Sequence, residues 1–263
     1  MKTKIVFFGS NKYGSLVLEV LKKNPSLEIV KIIQNKDDLN DLESLERPDL
    51  GIVASFGAFI PEKIINWPKM GLLNLHPSLL PKYRGPTPVP SAILNNEKET
   101  GLTIIKIDKE IDHGPIVYQL KEAINSDETS NDLLKRLFKT GAEALINILP
   151  DYLQGKIKPQ EQNHQQATFT EKLTRESGYI DWSKPTNYQQ KFIQAMFPWP
   201  GAWGKIKLRK EDKENKRLKI LKSHLEERKL TLDLVQLEGK KPVTWKQFLE
   251  GYPQTSWLSP IKP

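Results

Sequence analysis

Cysteine is absent from the 263 residues, which excludes disulfides, thiolate catalysis and Cys-ligated zinc. Histidine is scarce, four in all and scattered, so no metal site is expected. Long apolar runs are missing too. The first, Ile5-Val6-Phe7-Phe8, ends at Gly9 after four residues, against the roughly 20 a membrane-spanning helix needs. The expectation is a cytoplasmic protein without a leader or an anchor. No biased tract concentrates the 15 Gly and 19 Pro, which argues against collagen, coiled coil and disorder. What remains, 38% hydrophobic and 27% charged, is the composition of a folding chain, long enough for two cores.

The net charge of +8 is unevenly spread. Residues 1–150 carry 19 Lys and Arg against 19 Asp and Glu, and residues 151–263 carry 21 against 13. A neutral part followed by a basic part suggests small-molecule chemistry in the first and a polyanionic partner, nucleic acid above all, for the second.

Strand and helix patterns alternate at the start. Ile5 to Phe8 is β-like, Leu16, Val17, Val20 and Leu21 recur at helical spacing, and Ile29 to Ile33 is a second β-branched run. Leu50 to Ala54 and Leu72 to Leu75 repeat the pattern around a short helical segment. The expected fold of residues 1–150 is α/β, a Rossmann-like, doubly wound, mostly parallel sheet with ligands beyond the carboxyl ends of its strands. A helix is expected from near Thr129, capped by Ser130 or Asn131 and ended by Pro150. Residues 151–168, polar and Gln-rich, read as a surface linker. Residues 169–263 follow as a smaller β-rich domain, sandwich or barrel, in which Lys205 to Arg209 and Arg217 to Ile220 alternate basic and apolar residues.

Two segments carry chemistry. In Gly71 to Gly85, Asn74 and His76 are two apart on a strand, so their side chains leave the same face, and Pro77 stops the strand after them. An amide donor beside an imidazole suits polarising a carbonyl and holding charge on its oxygen. The second segment is the acidic turn Asp108 to Pro115, with Asp112 and His113, between two apolar strands.

Taken together, Asn74, His76, Ser78-Leu79-Leu80-Pro81 and Asp112 with Gly114 resemble the folate-dependent formyltransferases in order and spacing. Arg84-Gly85-Pro86-Thr87-Pro88, and in the second domain EKLTRESGYIDWSKP, FPWPGAW and VQLEGKKPVTWKQFLEGY, resemble the members acting on methionyl-tRNA. The resemblance covers Lys4 to Tyr252. It implies a formyltransferase fold with a C-terminal OB-like barrel that binds tRNA. It further implies formyl transfer from 10-formyltetrahydrofolate to methionyl-initiator tRNA by a monomer, without metal. In that reading Asn74 and His76 donate to the tetrahedral oxyanion, and Asp112 pairs with His76 and takes up the amine's proton. Ser78, Leu79, Leu80 and Pro81, with Phe59 and Ile60 after the third strand, would line the folate pocket.

One segment departs from that pattern. Where relatives acting on tRNA carry a long basic insertion, Asn35 to Pro48 is short, with two basic and five acidic residues, and would repel phosphates. Lys205, Lys207, Arg209 and Lys210 are the alternative phosphate contacts, the first three on one face of a strand. The short segment also keeps open a nucleotide-linked amino sugar as acceptor. A non-catalytic RNA-binding protein would have no use for Asn74, His76 and Asp112 together. A dehydrogenase is disfavoured because Gly9 to Gly14 reads GSNKYG and lacks G-x-G-x-x-G.

Overall fold

The computed structural model describes residues 2–40, 42, 46–209 and 211–258. The chain divides into two compact units, one of residues 1–89, 98–124 and 132–171, the other of residues 90–97, 125–131 and 172–263. Among the described residues no helix is long and apolar enough to cross a membrane.

The first unit is built on strands β1 (Thr3–Phe8), β2 (Leu27–Ile33), β3 (Leu50–Ala54), β4 (Leu72–His76), β5 (Glu99–Lys106) and β6 (Ile116–Ala123), in the order β2-β1-β3-β4-β5-β6. The pairings from β2 to β4 are parallel, and β5 and β6 add antiparallel ladders. Every residue of β3 is buried, as a central strand covered on both faces requires. Helix α1 (Lys12–Lys22) starts where the Asn11 side chain accepts from the amides of Tyr13 and Gly14, and it buries Gly14, Val17 and Leu21; the short helices α2 (Glu62–Ile65) and α3 (Pro88–Leu94) follow β3 and β4 along the chain. The Rossmann-like architecture read from the sequence is therefore present, with its antiparallel strands confined to one side.

Helix α4 (Ser130–Leu153) runs through Pro150 instead of ending there. A proline in the final turn forfeits one hydrogen bond but interrupts nothing beyond it. Termination falls to Gly155, at φ +70, where its N–H donates to Tyr152 O at 3.0 Å and that of Lys156 donates to Asp151 O at 2.9 Å. This is a Schellman motif, which favours glycine because a side chain is strained in the left-handed region.

The second unit holds an antiparallel sheet of β7 (Ala202–Lys207), β8 (Lys216–Glu226), β9 (Lys229–Leu237), β10 (Val243–Thr244) and β11 (Ser256–Trp257), ordered β10-β9-β8-β7-β11. Ile206, Leu218, Ile220, Val235 and Leu237 are buried, as the alternation requires of one sheet face. Helices α5 (Thr186–Met196) and α6 (Trp245–Gly251) complete it. Trp182 is fully buried against Trp257, ring centroids 4.8 Å apart, and Trp203, also buried, donates its indole N–H to Arg175 O. Both are packing residues; Trp199 is exposed.

Candidate functional site

Asn74 and His76 face the same side of β4, which lies between β3 and β5. His76 stands in register with Thr103 of β5, and Thr103 with Gln119 of β6, so the three form a row across the sheet. The row anchors the loop after β4. The Thr103 hydroxyl donates to Ser78 O at 2.6 Å and accepts from Leu80 N and Gln119 Nε2, which uses its full hydrogen-bonding capacity. Gln119 Nε2 also donates to Leu80 O at 3.0 Å. Ser78 and Leu80 are buried, and the Ser78 hydroxyl donates to Lys82 O. Leu79 and Pro81 are the half-buried members of the motif.

His76 is 4% exposed, and its ring orientation follows from its partners. Nε2 lies 3.0 Å from Tyr83 O, and a carbonyl oxygen only accepts, so Nε2 carries a hydrogen and Nδ1 turns to Asp112. Asn74 Nδ2 and His76 Nδ1 are each 3.4 Å from Asp112 Oδ1. Two nitrogens from one strand and one carboxylate oxygen thus meet at a single point. The other carboxylate oxygen, Oδ2, accepts from Gly85 N at 2.7 Å.

Asp112 reaches this point by an indirect route. β5 runs antiparallel to β4, so its last residue, Lys106, lies opposite Leu73 near the start of β4. The connection to β6 folds back toward Asn74 and His76, and Asp112 itself is left-handed at φ +49. Asp108 ties the turn internally, accepting from Glu110 N at 2.9 Å and lying 2.6 Å from His113 Nδ1.

Residues 151–168 do more than link. Gln160 pairs with Ile116, and Thr168 O accepts from Arg84 N at 2.8 Å. Gln162, 5% exposed, accepts from the Arg84 guanidinium and donates to Asp112 O and Gly114 O. Arg84 Nη2 also donates to His164 Nδ1 at 2.8 Å, and the His164 ring stacks on His113 at 3.9 Å. Gln162 and His164 are not among the site residues expected from sequence, because a Gln-rich polar stretch carries no periodicity to separate a buried amide from a solvated one, and Arg84 is expected only as part of its motif.

The expected apolar wall after β3 divides. Ile60, 8% exposed, packs in the core cluster with Ile64 and Trp67, whereas Phe59 is 78% exposed. Phe59 alone offers a surface.

In the second unit Lys205 and Lys207 lie on β7, which ends at Lys207, so Arg209 stands beyond the strand instead of sharing its face. Lys210 lies outside the described residues. Lys205 pairs across from Arg217, and Trp203 from Lys219. Cross-strand partners share a face, so Arg217 and Lys219 join the two lysines there, with the Arg217 guanidinium 3.9 Å over the Trp203 ring.

Residues 34–149 match the formyl transferase family model and residues 172–231 the model of the formyl transferase C-terminal domain. A methionyl-tRNA formyltransferase from Roseiflexus castenholzii is 36% identical over 240 residues, covering 77% of this chain and 75% of that protein. The chain belongs to the methionyl-tRNA formyltransferase family. Another member, from a Roseiflexus species, is 46% identical over 156 residues, 59% of this chain and 48% of its own length. The chain spans about half the length of several curated methionyl-tRNA formyltransferases that it matches. The methionyl-tRNA formyltransferase from Clostridium thermocellum has the same fold, with a TM-score of 0.70 at 22% identity over 89% of this chain and 98% of that one.

Proposed function

We propose that the protein transfers a formyl group from 10-formyltetrahydrofolate to the amino group of methionyl-initiator tRNA, acting as a cytoplasmic monomer. The observation that carries this reading is the convergence of Asn74 Nδ2 and His76 Nδ1, each 3.4 Å from Asp112 Oδ1, in a member of this family. Two nitrogen hydrogen-bonding groups held side by side next to one carboxylate oxygen can serve a developing oxyanion beside it, here the formyl oxygen. The half-buried Leu79 and Pro81 and the exposed Phe59 are the apolar residues available to the folate.

The amine nitrogen forms a bond to the formyl carbon, the carbonyl electron pair moves onto its oxygen, and the bond to the folate nitrogen then breaks. Asn74 Nδ2 donates to that oxygen throughout, and His76 does so through Nδ1 when that nitrogen is protonated. Asp112 accepts the proton that the amine loses, which passes to the departing folate nitrogen. Gly85 N holds Oδ2 of the same carboxylate, leaving Oδ1 for this exchange.

A second reading, a nucleotide-linked amino sugar as acceptor, is favoured by the short acidic segment Asn35 to Pro48, part of which lies outside the described residues. Incubation with 10-formyltetrahydrofolate and either charged initiator tRNA or amino-sugar nucleotides separates the two. Formylated methionyl-tRNA is the expected product, and formylation of the sugar alone would overturn the tRNA reading.

Lys205 and Lys207 on the basic face of β7 and β8, with Arg209 beyond the strand, supply a further check. Each phosphate neutralised adds about 0.7 to 0.9 to the slope of log affinity against log salt. A Lys205→Ala/Lys207→Ala/Arg209→Ala triple variant is therefore expected to bind tRNA with a slope shallower by about 2. An unchanged slope would move the phosphate contacts to another surface.

A further inference from the structure

Resting on the formyl-transfer reading, we infer that Gln162 is a positioning residue for Asp112, and that the polar stretch between the two family segments completes the reacting site. The Gln162 amide uses all of its hydrogen-bonding capacity. Its two N–H groups go to Asp112 O at 2.9 Å and Gly114 O at 2.8 Å, and its oxygen accepts from Arg84 Nε at 3.2 Å and Nη2 at 2.7 Å. A flipped amide would set its oxygen against two carbonyls, so the orientation is fixed.

Both supports of the carboxylate meet at this side chain. Through its N–H groups Gln162 grips the backbone on either side of His113, including the left-handed turn at Asp112. Through its oxygen it holds Arg84, whose neighbour Gly85 donates to Asp112 Oδ2. Gln162 is itself anchored from two directions. Gln160 N donates to Ile116 O at 2.8 Å and Ile116 N to Gln160 O at 2.7 Å, while Thr170 N donates to Arg84 O at 2.7 Å. The position of Asp112 over β4 is thus set by a residue some fifty positions away that touches no reacting atom.

Two variants separate positioning from packing. Gln162→Glu keeps an acceptor for Arg84 and loses both donors to the Asp112 turn, and Gln162→Met keeps the length and loses every bond. A displacement of reacting groups by about 1 Å costs up to a hundredfold. Both variants are therefore expected to lower kcat by roughly ten- to a hundredfold with KM for the formyl donor within about twofold. In both, amide hydrogen exchange in peptides covering residues 108–116 should quicken by about tenfold, with β1 and β3 unchanged. A Gln162→Glu protein with wild-type kcat and wild-type exchange in that turn would overturn the inference. Should that variant fail to fold, Gln162→Met decides by the same two measurements. A wild-type protein that formylates neither acceptor would end the formyl-transfer reading, whereas the exchange of residues 108–116 would still report whether Gln162 holds the turn.

Discussion

Purified Asn74→Ala and His76→Ala proteins are expected to lose about a hundredfold or more in kcat for formyl transfer. The magnitude follows from the role. A hydrogen bond made to charge that develops only in the transition state is worth about 3 to 4 kcal/mol in a water-poor site, and its loss appears in kcat instead of KM. The 3.4 Å separations from Asp112 Oδ1 are long for hydrogen bonds, so neither nitrogen is committed to the carboxylate and both can turn to a substrate oxygen.

The two substitutions should differ in stability. Asn74 is half-buried, and its removal frees only a long contact. His76 is buried and bonded through Nε2 to Tyr83 O, so His76→Ala leaves a cavity and removes that bond, at a cost of about 1 to 3 kcal/mol. Thermal melts beside steady-state kinetics separate the two effects. The double variant should fall little below either single one, since both donors serve the same oxygen. Near-normal turnover by a folded His76→Ala protein would remove the assignment.

How far this site could be read from sequence depended on how local each part was. The strand Leu50 to Ala54 was legible because an uninterrupted apolar run leaves few alternatives. The shared face of Asn74 and His76 followed from the period of a strand, and Asp112 from its family spacing. The path that brings Asp112 back was not legible, since it depends on β5 running antiparallel to β4, and no local pattern encodes that direction. Gln162 escaped for a related reason: burial of a polar side chain is decided by partners far along the chain. Phe59 and Ile60 are adjacent, and only tertiary packing sends one into the core and the other to solvent. On the second unit, alternation located Lys205 and Lys207, whereas Arg217 and Lys219 required the register of β7 with β8.

Gly114→Ala is expected to remove activity by a comparable factor without touching any group that contacts substrate. A Cβ at position 114 would overlap the carbonyl oxygen of Lys106 and press on its carbonyl carbon at 3.0 Å. Both obstacles are backbone, so no side-chain rotation relieves them. Lys106 is the last residue of β5, and its N–H donates to Pro115 O at 3.0 Å. The turn must therefore separate from the end of β5, carrying Asp112 away from His76 and Gly114 O away from Gln162. Overpacking of this kind costs about 1 to 3 kcal/mol, or roughly 3 to 10 °C in Tm for a chain of this size. The kinetic loss should exceed what that destabilisation explains, because at 25 °C nearly all of the protein would remain folded. Gly155→Ala is the control. It strains a left-handed residue, at φ +70, but its Cβ meets nothing within 4 Å and it lies beyond the end of α4, so it should lower Tm by a few degrees and leave kcat unchanged. Equal effects of the two variants on Tm, with kcat intact in both, would mean that the turn bearing Asp112 can shift without consequence for the reaction.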